Sequence, residues 1–227
     1  MFIESDDIRL FYEKTGDGPP LIMLHGNGET HHIFDEAAGA LRSHFTVYTV
    51  DTRGHGLSFP VLEYHYDDMA QDIYRFITQL GIKKPLLYGF SDGGIVGLLL
   101  AIRYPGLLSQ LAASGANTEP AGIKKSWLLL FRLIYAVSRS PQMKLMLSEP
   151  HITADDLRTI STPTLLTAGS RDMISDAHTR MIHESIPGSE LIVVRGATHS
   201  SYIVHSKEIA KLLIDRFKEQ ASSSSRS

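Results

Sequence analysis

The sequence predicts an α/β fold, a mainly parallel, doubly wound sheet with helices on both faces. Three observations lead there. Runs of strand length alternate with segments of helical periodicity along most of the 227 residues. Several of those runs are continuously apolar, the pattern of strands buried on both faces of a parallel sheet. Gly89-Phe90-Ser91-Asp92-Gly93 lies between an apolar run, Pro85 to Tyr88, and a helix-forming run, Gly94 to Ala101. That is strand, sharp turn and helix, with a serine at the turn.

The elements follow in chain order. Phe2–Glu4 and Ile8–Glu13 read as a hairpin around Asp6-Asp7, and Gly16 to Pro20 as the loop that ends it. Pro20–His25 and Phe45–Val50 are buried strands, with a helix from Ile33 to Leu41 between them. Asp67 to Leu80 carries Met69, Ile73, Phe76, Ile77 and Leu80 at helical spacing, with Asp67 or Asp68 as N-cap and Gly81 as stop. After the Ser91 helix come strands at Leu107–Ala116, Pro163–Gly169 and Glu190–Val194, and helices at Asp176–Ser185 and His205–Lys218.

One stretch breaks the alternation. Residues 117–162 lie between two sheet strands yet hold no convincing strand. Ile123–Ser138 is strongly apolar and helical, Pro141–Ser148 forms a second short helix, and Asp155 and Asp156 cap a helix. The stretch is read as a small cap over the carboxyl end of the sheet, where open α/β sheets bind ligands. An ordinary crossover helix with an irregular tail is the alternative. A helix apolar almost all round implies burial on several sides or contact with a partner. The expected division is a core of 1–116 and 163–220, a cap of 117–162 and a disordered tail of 221–227.

The length suits one domain. A net charge of −3 gives no sign of nucleic acid or an anionic membrane as partner. There is no cysteine, which excludes disulfides, a thiol nucleophile and thiolate metal sites. The first residues lack the basic and apolar regions of a signal peptide, and no apolar run is long enough to span a bilayer, so a cytoplasmic protein, monomer or homodimer, is expected. No G-x-G-x-x-G or P-loop motif supports nucleotide binding. His31-His32 with Asp35 and Glu36 reads as a solvated helix face, because adjacent helical residues point apart. No metal site and no cofactor are expected.

The chemistry centres on Ser91. A serine hydroxyl held on a strained turn beside a base becomes a useful nucleophile. The base and its orienting acid should follow in the order Ser, Asp or Glu, His, each just after a strand. Asp172, in Gly169-Ser170-Arg171-Asp172, and His199, in Gly196-Ala197-Thr198-His199, meet that order. Asp176 competes as the acid, and the turn position favours Asp172. His25-Gly26-Asn27-Gly28 follows a strand, and the N–H groups of Asn27 and Asp92 are the expected oxyanion donors. His25 orients that loop. Asp51 to Ser58 is a fixed turn with an Asp51–Arg53 ion pair and a structural His55. His31, His32, His44, His178 and His183 are read as surface residues.

Together these segments resemble the α/β-hydrolase family over nearly the whole chain. Ser91-Asp92-Gly93-Gly94 and the later Gly115-Ala116-Asn117 are similar to the biphenyl-hydrolase-like, valacyclovir-hydrolase-like branch of esterases. In that branch the aspartate after the nucleophile helps bind a substrate ammonium group, which Asp92 would do here. The 117–162 segment is shorter than the cap of that branch. A serine nucleophile argues against the dehalogenase and epoxide-hydrolase branches. The expected activity is cleavage of small carboxylic esters through an acyl-enzyme. Trp127 and Phe131, with Leu130, Ile134 and Tyr135, would wall the substrate pocket. Lactone, amide or C–C bond hydrolysis by the same residues, or a ligand receptor on this fold with little turnover, are the alternatives.

Overall fold

The computed structural model describes residues 1–5 and 8–224, so the expected turn at Asp6-Asp7 and residues 225–227 lie outside the described residues. Among these residues, eight strands form one sheet: β1 (Phe2–Ser5), β2 (Ile8–Thr15), β3 (Pro20–Leu24), β4 (Thr46–Val50), β5 (Leu86–Phe90), β6 (Gln110–Ser114), β7 (Thr164–Arg171) and β8 (Glu190–Thr198). Their order is β1-β2-β4-β3-β5-β6-β7-β8, with β1 and β2 antiparallel and the other six parallel. The chain leaves β3 towards β4 on one side and reaches β5 on the other, so their carboxyl ends diverge into a crevice.

The pleat sorts the side chains. Leu87 of β5 and Ile22 of β3 point to a core shared with α2 (Tyr66–Gln79) and α3 (Asp92–Arg103). Leu86, Tyr88 and Phe90 point to the opposite core, covered by α1 (Asp35–Leu41) and α8 (Glu208–Ser224). The remaining helices are α4 (Lys125–Ser138), α5 (Pro141–Ser148), α6 (Ala154–Arg158) and α7 (Asp176–Ser185).

Several expectations need correction. His65, not an aspartate, precedes the first turn of α2, and Asp67 and Asp68 instead pair with Arg103 and Arg53. At α6 the cap is Thr153, whose hydroxyl and the Asp156 carboxylate satisfy one another's backbone N–H. β7 and β8 run longer than their apolar runs suggest, because they continue to pair past Gly169, with Arg171 opposite Thr198. α8 extends to Ser224, so the helix runs into residues expected as tail: Ala and Ser do not break it.

α4 is not buried on several sides. Of its residues only Phe131 is buried, packed with Ile123 and Ile174 in a satellite cluster, while Leu129, Leu133 and Val137 stand 60%, 60% and 89% exposed. Uniform apolarity along a helix does not encode which stripe the fold covers.

Candidate active site

Ser91 links β5 to α3 with φ 51° and ψ −112°. This is the backbone of the first central residue of a II′ turn, which strains any residue but glycine. The strand and helix close tightly around it. A Cβ on Gly89 would lie 2.1 Å from the Gly93 carbonyl oxygen, and one on Gly93 would lie 2.2 Å from that of Leu24. The Ser91 N–H donates to the Ser114 carbonyl of β6 at 2.8 Å, which fixes the turn to the sheet.

The extended β7 and β8 carry the chain directly to Asp172 and His199. His199 Nε2 lies 3.1 Å from Ser91 Oγ, and His199 Nδ1 lies 2.6 Å from Asp172 Oδ1. Asp172 is buried and also accepts from the N–H groups of Ile174 (3.0 Å) and Gly169 (3.3 Å). Burial pushes its carboxyl up. The bond to His199, its charge and the two N–H donors outweigh that and hold the carboxyl below its ordinary value. Asp176, the competing acid, is exposed at the start of α7 and faces Lys124 at 3.9 Å.

The loop after β3 is held beside this turn. Gly93 N–H donates to the His25 carbonyl at 3.1 Å. His25 is buried, donates from Nδ1 to the Gly26 carbonyl (2.8 Å) and accepts the Thr52 N–H at Nε2 (3.1 Å). Burial and the nearby His55 lower its pKa to about 4, so the ring is neutral. His55 in turn accepts the Gly28 N–H at 3.2 Å. Among the described residues the N–H groups of Asn27 and Asp92 donate to no protein acceptor. That of Asp92 opens α3, where a helix has free donors and a positive dipole end.

Asp92 is buried, and its side chain lies in the site. Oδ1 accepts the Tyr66 hydroxyl at 2.8 Å and Oδ2 accepts Asn27 Nδ2 at 2.9 Å. Burial raises its pKa against these two bonds. Asp92, Tyr66 and Ser91 line a cavity of about 10 Å³ together with Asn117, Ile123, Met146, Met173 and Ile174. Trp127 and Phe131, expected as pocket walls, do not line it. Phe131 packs behind Ile123, and the Trp127 ring, 5.9 Å from that of Phe131, is 41% exposed. A cleft of about 650 Å³ opens elsewhere, between the start of α2, the end of α3 and Ser148–Ile152, and Tyr66 is a wall of both.

Other residues the sequence misplaced or missed sit around this centre. Asp51 does not pair with Arg53. It accepts the backbone N–H and Nδ1 of His31 (2.7 and 2.8 Å), which is buried, while Arg53 forks onto Asp72 at 2.7 and 2.8 Å. His178, expected at the surface, is buried and accepts the Thr118 N–H at 3.0 Å. Glu29 was not singled out. It accepts the Gly26 N–H at 3.0 Å, and burial raises its pKa. Its place three residues after Gly26 in a glycine-rich turn was the available signal.

The sequence profile of a family described as "alpha/beta hydrolase fold" matches residues 19–143, more than half of the chain. The chain is 31% identical over 121 residues to "Ethanol acetyltransferase 1" of Cyberlindnera jadinii, which is 52% of this chain and 35% of that protein. It therefore spans about a third of that relative. It is 26% identical over 251 residues to "Serine hydrolase BPHL" of Homo sapiens, covering 94% of this chain and 84% of that one. A solved carboxylesterase of Nitrososphaera gargenis superposes with a TM-score of 0.84 over 98% of this chain and 100% of that one. At 20% identity this is a likeness of fold.

Proposed function

Because this chain belongs to the α/β-hydrolase fold family, we propose that it is a serine hydrolase that cleaves small carboxylic esters with Ser91, His199 and Asp172. The observation that carries the reading is one imidazole bridging a strained serine (3.1 Å) and a buried carboxylate (2.6 Å). Ser91 Oγ attacks the ester carbonyl while His199 Nε2 takes its proton. The oxyanion accepts the N–H groups of Asn27 and Asp92. Collapse expels the alcohol, which leaves with the proton from His199. Water, deprotonated by His199, then attacks the acyl-enzyme and releases the acid. Asp172 keeps Nδ1 protonated and steadies the imidazolium. The proton transfers contribute about 10²–10⁴ in rate, and each oxyanion donor about 3 kcal/mol.

Amino-acid esters are the preferred substrates in this reading. The Asp92 carboxylate is buried, faces the cavity beside Ser91, and is held by two neutral donors, Tyr66 and Asn27. A negative charge there opposes the developing oxyanion unless a cation offsets it, and a substrate ammonium would do so. Lactones, amides and C–C bonds would use the same residues, and a substrate panel ranks them against esters.

The test is turnover of p-nitrophenyl acetate and of valine ethyl ester against its N-acetyl analogue. Loss of both activities in Ser91→Ala, with a phosphonate adduct on Ser91 in the parent, is expected. Undiminished turnover in Ser91→Ala overturns the mechanism. Saturable ligand binding without turnover would favour the receptor reading. Asp92→Asn should abolish the preference for the free amine, and equal rates on both esters in the parent would remove the ammonium site.

A further inference from the structure

We propose that the outer face of α4 docks this protein onto an anionic lipid surface. Trp127, Leu129, Leu130, Leu133, Ile134 and Val137 are between 41% and 89% exposed. At 3.6 residues per turn they form one continuous apolar face along a helix about 20 Å long. Lys125 and Arg132 lie along one edge of that face, and neither makes an ion pair among the described residues. Residues 123–148 hold Lys124, Lys125, Arg132, Arg139 and Lys144 and no acid, in a chain whose net charge is −3. Lys124 and Lys144 face Asp176 and Glu63 at 3.9 and 3.7 Å, which leaves Lys125 and Arg132 as the cations of the outer edge.

Charge decides between the occupants. A second copy meeting this face across a two-fold axis through residues 123–148 would bring no acid to Lys125 and Arg132. An anionic bilayer receives apolar side chains at the depth of the acyl boundary and cations at its headgroups. The face is the outer ridge of a single helix, a shape that enters an interface. The whole-chain charge, from which no membrane partner was expected, averages away this local concentration. The inner side of α4 packs through Phe131 on Ile123 and Ile174, which line the cavity beside Ser91. Docking would thus bring that cavity within a helix diameter of the lipid. The binding itself does not rest on the proposed reaction.

The test is co-sedimentation of the full chain with vesicles of phosphatidylcholine alone and of equal parts phosphatidylcholine and phosphatidylglycerol. Binding to the mixed vesicles should exceed binding to the neutral ones about tenfold or more and weaken as salt approaches about 1 M. Leu129→Glu with Leu133→Glu, and separately Lys125→Glu with Arg132→Glu, should each reduce it about tenfold or more. Thermal unfolding checks that both variants fold, and the charge-reversal pair, which alters no apolar contact, tests the idea if the first pair does not. Equal sedimentation with both vesicle types overturns the proposal. So does unchanged binding of the folded variants, or a dimer in sedimentation equilibrium that Leu133→Glu dissociates in a protein that ignores lipid.

Discussion

The loops after β3, β4, β5, β7 and β8 turn polar groups inward, whereas α4, between β6 and β7, turns apolar groups outward. In the loops, Asp51, Asp92, Asp172 and His25 are buried, and each has hydrogen-bond partners. Buried polar groups without partners would be costly, so these loops have little freedom to move. Across β6, α4 leaves six large apolar side chains between 41% and 89% exposed and anchors through Phe131 and its neighbours. The difference teaches that position near the sheet does not set rigidity. The hydrogen-bonded loops are over-determined, and α4 is held by the small apolar cluster around Phe131. The chain after it rejoins the main core through Leu145, Ile152, Leu157 and Ile160 and is tied by Glu149 to His65 (2.6 Å) and to the Tyr66 N–H (3.1 Å).

Four measurements would break or sharpen that contrast. The largest effect is expected within the loops: Asp172→Asn should lower ester turnover by about 10³–10⁴, because Nδ1 loses the partner that fixes its tautomer. A fall below tenfold would mean that the loop geometry is not what activates Ser91. Next, Gly93→Ala should destabilise the fold by about 3 kcal/mol in urea melts, since its Cβ would meet backbone. The same loss is expected on acidification. His25 titrates at about 4 in the fold against an ordinary 6.5. Between those values the unfolded chain takes up a proton that the native one refuses. Stability should therefore fall with pH from about 6.5 to about 4 and level off below, by about 3 kcal/mol from this residue. A His25→Gln variant should show a shallower acid slope, and an unchanged slope would place the titration elsewhere. The smallest effects separate the two sides of α4. Phe131→Ala should cost about 3 kcal/mol, and Leu133→Ala should stay within about 0.5 kcal/mol. Equal losses would show that the outer face is covered.

Much of this was legible because parallel strands bring their carboxyl ends to one edge. Ser91, Asp172 and His199 each follow a strand, so chain order alone put them within reach of one another. Strand β3 placed Asn27 in the same way. What escaped was long-range partnership. Nothing near Asp92 in sequence points to Tyr66 or Asn27, 26 and 65 residues away. Arg53 has Asp51 two residues off, yet takes Asp72, because Asp51 is engaged by His31 and the Leu57 N–H. The buried His31 and His178 look like surface residues until their acceptor and donor partners arrive from other elements. The outward face of α4 was hidden for another reason: Trp127 and Phe131 are equally apolar, and only tertiary packing tells them apart.

The backbone at Ser91 carries a further implication. Its φ of 51° and ψ of −112° suit a residue without a side chain. Glycine there would relax the turn by about 1 kcal/mol while deleting the hydroxyl. A protein-engineering screen that rewards heat resistance alone would therefore drift towards chains that lack the proposed nucleophile. Any such campaign needs an activity filter from its first round.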